Sequence, residues 1–250
     1  MSAGDARSTG CPSRKSAARR VSLLYCLSGF VSLAYQVTWF RIFIDQFGST
    51  NLTFILVLTN FIGGLGLGAL ASNPLTLWIV GTFKLEDRFR VYGAVELLVS
   101  ATVLMTVIVG SLTADSWGSF PYLLREGVYV QTLPYQLAKV GLAALCVFVP
   151  CFFMGVTFPL LCNVFREDER FPSSLYAWNT LGACSGVLVC QFVLIPWIGH
   201  IWTFRAAAGL NAALGAYFLV TGGAPEARRQ SSPPPPEATH TPAVGPGNLG

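Results

Sequence analysis

Seven polar residues stand inside long apolar blocks of this sequence, and their types decide what chemistry is open to it: Gln36, Asn60, Glu96, Thr157, Asn179, Gln191 and Asn211. A polar group in hydrocarbon costs free energy, and it normally faces a bundle interior or a water-filled cavity. Glu96 is the one carboxylate inside these blocks, on a stripe with Gly93 and Ser100. The others offer amides and a hydroxyl, which hydrogen-bond but supply neither a strong nucleophile nor a proton relay. Such a set suits the binding and passage of a small solute rather than bond making. The histidines are His200 and His240, and no apolar block holds paired carboxylates or metal-ligand spacing, so no catalytic residue, metal or cofactor is expected. Gly63-Gly64-Leu65-Gly66-Leu67-Gly68 lacks the spacing and the flanking strand of a nucleotide loop.

The elements that must position these residues follow from composition. Of 250 residues, 53% are hydrophobic and 11% charged, against about 25% charged in an ordinary soluble domain. The apolar residues fall in blocks long enough to cross about 30 Å of hydrocarbon as helices. Candidate spans lie at 21–44, 52–72, 91–112, 137–161, 175–197 and 202–220. The fold class is therefore all-α, a polytopic transmembrane bundle of about six helices. Residues 1–20 read as a disordered basic N-tail, 21–221 as the membrane domain, and 222–250, with Pro233-Pro234-Pro235-Pro236, as a disordered C-tail. The first apolar block is too long for a signal peptide and no small-residue cleavage site closes it. Asn73-Pro74 interrupts the second block, so that 73–80 either extends a bent helix or forms an interfacial segment. Pro150 and Pro159 are expected to kink the fourth span.

Lysine and arginine concentrate in cytoplasmic loops of membrane proteins. With the N-terminus inside, the N-tail, the 73–90 and 162–174 loops and the C-tail hold twelve of the sixteen basic residues, which places both termini in the cytoplasm. A net charge of +4, with basic residues at block borders, argues for topology signals and against nucleic acid. Cys26, Cys146, Cys151, Cys162, Cys184 and Cys190 lie in or beside apolar blocks without CxxC spacing and read as packing residues. Depths counted from the span ends put Glu96, Thr157 and Asn179 together in the cytoplasmic third, and Gln36, Asn60, Gln191 and Asn211 in a second layer nearer the middle. Gln36 continues a stripe with Ser28 and Ser32. Gly64 with Gly68, and Gly182 with Gly186, form GxxxG pairs that let helix backbones approach closely; Ala208, Ala212 and Ala216 repeat the device. Arg41 and Asp45 are expected to snorkel or to pair locally, with Arg205 at a similar level.

Several strings together resemble the membrane part of the fused spermidine synthase-like proteins. They are Ser28-Gly29-Phe30 through Tyr35-Gln36-Val37-Thr38-Trp39-Phe40-Arg41, Gly66-Leu67-Gly68-Ala69-Leu70, Glu96-Leu97-Leu98, Met154-Gly155-Val156-Thr157-Phe158-Pro159-Leu160, Tyr176-Ala177-Trp178-Asn179-Thr180-Leu181-Gly182-Ala183, and Arg205 with Asn211. The resemblance covers nearly all of 21–220. It implies a helical, major-facilitator-like membrane region, which in that family precedes a soluble aminopropyltransferase-like domain. Here a Pro-rich tail of about thirty residues follows the last span, so the enzyme's activity is not expected in this chain. The family often has Glu at the position of Gln36, and its turn after the Gly-rich stretch is matched by Gly81 through Asp87-Arg88, displaced by the insertion at Asn73.

The reading that follows is a multi-pass protein of the plasma or inner membrane that moves or senses a small, polyamine-like solute. It has the lipid bilayer, a second copy of itself, or a soluble aminopropyltransferase-like protein as partner. The alternative is a non-transporting anchor or scaffold for such an enzyme, in which the polar layers are fully paired with one another.

Overall fold

The computed structural model describes residues 12–48, 51–85, 87–113, 122–125, 128–165 and 169–222, of which 12–17 and the 122–131 segment by backbone alone. Residues 1–11 and the tail from 223 onward, both expected to lack structure, lie outside the described residues. Among the described residues eight α-helices carry the fold: α1 (Pro12–Phe47), α2 (Asn51–Leu70), α3 (Ser72–Phe83), α4 (Arg88–Thr113), α5 (Leu133–Ala143), α6 (Val149–Val164), α7 (Phe171–Val189) and α8 (Ile195–Thr221). Between α4 and α5 lies a two-stranded antiparallel ribbon, β1 (Tyr122–Arg125) and β2 (Val128–Gln131), paired Tyr122 with Gln131 and Arg125 with Val128.

Helix α1 begins earlier than composition predicts, so residues 12–20 of the expected unstructured tail are helical. Lys15, Ala17, Ala18, Arg19 and Arg20 are strong helix formers. Pro12 stands in the first turn, where its missing N–H is harmless, and the long helix behind them removes the cost of nucleation. The uncertainty at residues 73–80 resolves as a separate helix, α3. Ala71, with φ −82° and ψ 1°, bends the chain, and Pro74 falls in the first turn of α3. Asp87 then caps α4, its Oδ1 accepting from the Phe89 N–H at 2.9 Å.

Among the described residues five segments are long and apolar enough to cross a membrane: Ala18–Phe47, Asn51–Leu70, Arg88–Thr113, Leu133–Val164 and Phe171–Thr221. The last has 51 residues, which as one straight helix would run to about 76 Å, over twice the hydrocarbon thickness. It is broken at Gly199, where φ is 79° and ψ 162°. The break divides that segment in two, so the described residues hold six long helical stretches.

Prolines act here through π turns. One, Ala144–Phe148, joins α5 to α6 just ahead of Pro150; another, Cys190–Leu194, joins α7 to α8 just ahead of Pro196. Pro150 has no N–H for the Cys146 carbonyl four residues back, and the Thr106 hydroxyl of α4 donates to that carbonyl at 3.1 Å instead.

Neighbouring residues fix the helix directions. Tyr25 meets Tyr92, Ser28 meets Glu96 and Trp39 meets Thr106, so α1 and α4 run parallel. Gly182 lies against Cys26 and Gly186 against Phe30, so α7 runs with them. In contrast, Phe89 meets Phe218 and Gly93 meets Gly215, so α8 runs opposite to α4. Helix α2 runs with α6, Gly64 against Cys151 and Gly155 against Leu65, and Tyr25 against Phe158 places α6 beside the start of α1. The beginning of α1 and the end of α8 thus share one end of the bundle with the start of α4, the end of α6 and the start of α7, where Phe89, Phe165, Phe171 and Phe218 pack together.

The buried core has two halves. One holds Tyr35, Trp39, Phe43, Val99, Val103, Cys146 and Phe204, and the other Tyr25, Phe89, Tyr92, Val95, Leu160 and Phe218. Outside them is a belt of exposed apolar side chains, including Trp197 at 84% and Leu70 at 80%. In water such a belt is an aggregation surface; among lipid tails it is the solvated face of a membrane protein.

Candidate functional site

The plane between the two core halves is polar. On α1, Ser28 falls between Tyr25 of one half and Val31 of the other; on α4, Glu96 falls between Val95 and Val99; on α8, Asn211 falls between Ala208 and Leu214. All three polar residues are buried, Glu96 at 2% exposure. Ser28 Oγ donates to Glu96 Oε1 at 2.9 Å, and Asn211 Nδ2 donates to the Glu96 backbone carbonyl at 2.8 Å. One turn further along α4, Ser100 Oγ donates to the Ala208 carbonyl at 2.9 Å. Three helices are therefore cross-linked at one level by hydrogen bonds in place of apolar contacts.

Tyrosines surround this layer. Tyr25 Oη lies 3.3 Å from Thr157 Oγ1, and the Tyr25 ring meets Tyr92 edge-on at 6.4 Å. The Tyr92 hydroxyl is beside the Glu96 carboxyl but outside good hydrogen-bond geometry, so it is buried without a full partner. On the other side of the layer, the Tyr35 hydroxyl is also buried without a partner among the described residues. A buried carboxyl with two incompletely satisfied phenol groups is a costly arrangement, about 1–3 kcal/mol for each unmade hydrogen bond. Chemically it offers acceptors and ring faces to a small cation.

The structure regroups the residues singled out in the sequence. Glu96 is joined by Asn211, which had been placed in the other layer, and is linked to Thr157 through Tyr25 and Tyr92. Asn179 does not reach them; it is half-buried with its carbonyl groups against Gly29, on the face of α1 toward α7. Gln36 and Gln191 do come together, lining a groove of about 280 Å³ between α1, α2 and the end of α7 with Leu33, Phe40, Phe54 and Val57. Asn60 turns back on its own helix, Nδ2 donating to the Leu56 carbonyl at 2.8 Å.

Two geometric reasons account for the regrouping. Ser28 and Gln36 are eight residues apart, which leaves them about 80° apart around a helix; they face different neighbours rather than one stripe. Asn211 lies seven residues beyond Phe204, and Phe204 packs on Tyr35 at the level of Gln36, so Asn211 is about 10 Å nearer the other end.

The close approaches expected at Gly64, Gly68, Gly182 and Gly186 are present. A Cβ on Gly68 would overlap the Phe152 carbonyl, one on Gly182 the Cys26 carbonyl and one on Gly186 the Phe30 carbonyl, and one on Gly64 would lie 2.7 Å from Cys151 Cβ. Asp45 pairs across helices with His200 at 3.1 Å rather than with Arg41. Sequence reasoning missed Tyr25, Tyr35 and Tyr92, because tyrosine reads as apolar in a hydrophobic block. Lys139 is fully buried, with its Nζ over the Tyr135 ring at 4.4 Å.

Comparison with known proteins gives one distant likeness. A protein of Corynebacterium efficiens named polyamine aminopropyltransferase is 26% identical over 207 residues, covering 80% of this chain but 34% of that protein's own length. No family model matches the sequence, and no solved structure matches the fold.

Proposed function

We propose that this chain is an integral membrane module that binds a small organic cation of polyamine type at the Glu96 layer and moves or senses it. The observation that carries the proposal is the placement of a carboxyl, ringed by tyrosines, midway between two apolar half-cores. A buried intramembrane carboxyl is expensive unless it has a partner or a task, and tyrosine faces beside it suit an alkylammonium group. In this reading the end shared by the start of α1 and the end of α8 is cytoplasmic. The support is that twelve basic residues belong to the segments assigned to that side, whereas Arg41, Arg125, Lys139 and Arg205 belong to the other.

The choice of a polyamine is supported by the resemblance to the membrane region of the fused spermidine synthase-like proteins and by the name of the Corynebacterium relative. The chemistry of aminopropyl transfer is assigned elsewhere, to an aminopropyltransferase-like partner or domain beside the bundle. Six passes are half the complement of a twelve-helix transporter, so a homodimer within the plasma or inner membrane is the assembly that completes this reading.

Uptake of labelled spermidine into proteoliposomes tests it. Glu96→Gln is expected to lower the initial rate roughly tenfold or more, since a charge-assisted hydrogen bond contributes about 1.5–3 kcal/mol, with the thermal midpoint little changed. Uptake by Glu96→Gln equal to wild type contradicts the assignment. A second reading, a non-transporting anchor or scaffold for the enzyme, is favoured by the pairing of Ser28 with Glu96 and of Ser100 with Ala208. It expects no solute uptake by either form.

A further inference from the structure

A pocket of about 290 Å³ opens at the far end of the α1–α4–α8 interface, lined among others by Asp45, Gln46, Thr106, Ser111, His200 and Arg205. Its polar groups are unequal. The Asp45 carboxylate is held by His200 Nε2 at 3.1 Å and is well exposed. Gln46 donates Nε2 to the Gly110 carbonyl at 3.3 Å, while its Oε1 is buried without a partner among the described residues. The Arg205 guanidinium, also in the lining, stacks over the exposed Trp202 ring at 4.9 Å.

The wall of this pocket leads directly inward. Thr106 lines it and also accepts from Trp39 Nε1 at 3.2 Å. The Trp39 ring packs on Phe204 at 5.8 Å and on Tyr35 at 5.7 Å, and all three rings are fully buried. Beyond them is the Tyr35 hydroxyl, buried without a partner among the described residues and seven residues, about two helical turns, along α1 from Ser28, the partner of Glu96. Apart from the His200 and Arg205 side chains of the lining, the groups from mouth to centre are carboxylate, amide oxygen, three ring faces, phenol oxygen and carboxyl. Each favours an ammonium group, the rings by cation–π attraction.

We propose that this pocket is the entry site for the alkylammonium solute, with Asp45 and Gln46 Oε1 as its recognition groups, and that the Trp39–Thr106 hydrogen bond holds closed the aromatic gate between it and Glu96. The inference rests on the reading of the Glu96 layer given above. An arriving ammonium group replaces His200 as the partner of Asp45, then passes when Trp39 releases Thr106.

The experiment follows labelled spermidine binding to the full chain in nanodiscs, resolving association, dissociation and equilibrium affinity. Ser111→Cys is modified with a positively charged methanethiosulfonate reagent, with wild type treated alike to account for its own cysteines. The modified protein is expected to bind and release about tenfold more slowly with affinity within about twofold, because a blocked route changes both rates and not the end states. Asp45→Asn is expected to slow association. Trp39→Phe keeps a ring but loses the hydrogen bond to Thr106, and is expected to speed both rates. If Glu96→Gln abolishes binding while these variants leave the rates unchanged, the route is overturned and the site stands. Binding by Glu96→Gln that equals wild type, or no saturable binding at all, overturns the site and the route together.

Discussion

Ser28 and Asn60 show how differently two polar residues in apolar helices can be used. Ser28 Oγ reaches across to the Glu96 carboxyl, whereas the Asn60 amide returns to the Leu56 carbonyl one turn back. The first bond joins two helices and satisfies a buried acid; the second joins nothing. Ser28→Ala is therefore expected to destabilise the folded protein by about 1–3 kcal/mol, the range for leaving a buried partner unsatisfied, and Asn60→Ala by less than about 0.6 kcal/mol. Denaturation followed in detergent micelles measures both, and equal losses would contradict the assignment of Ser28 to the layer. At this scale Glu96, Asn211 and Thr157 stand out in the sequence, because a polar letter inside an oily block carries its own signal. The tyrosines were not, since burial of their rings hides the need of their hydroxyls. Which residues met was only partly readable, because depth along a helix can be counted from its ends but rotation about it cannot.

Glycines decide how the elements approach. Within one string, Gly64 and Gly68 face the α6 backbone, while Gly63 and Gly66 have nothing within 4 Å of an added Cβ. Gly68→Ala forces α2 from the Phe152 carbonyl and is expected to cost about 1–3 kcal/mol, the usual penalty of overpacking. Gly66→Ala, on the open face of the same helix, is expected to be neutral or slightly stabilising, because alanine is the better helix former. The pair compared by thermal unfolding provides its own control, and a Gly66→Ala penalty as large as that of Gly68→Ala would contradict the packing. The period of four made Gly64, Gly68, Gly182 and Gly186 readable in the sequence. Gly93 against Gly215, and Gly155 against Leu65, had no repeat to announce them. On α8 the expected alanine stripe is only partly used: Ala208 is buried but Ala216 is exposed, because Asn211, Gly215 and Phe218 set the buried face. The β1–β2 ribbon was overlooked although Val128-Tyr129-Val130 is a run of strand formers; a search for apolar blocks passes over so short a segment.

For the whole molecule, the directions of the helices bring the basic connections to one end and Asp45, His200 and Arg205 to the other, with the Glu96 layer between them. The number and order of the long apolar helices were legible because hydrocarbon thickness sets the length of an apolar block, and the break at Gly199 fell where the sequence changes from one block to the next. Everything said of Glu96 depends on those helices lying across a bilayer with the basic end inside. The most direct measurement is labelling of single introduced cysteines in sealed vesicles by a membrane-impermeant maleimide, scored above the wild-type background. Lys84→Cys and Glu169→Cys are expected to react only when the reagent is inside, and Arg205→Cys when it is outside. Reaction of all three from the same side would contradict the account.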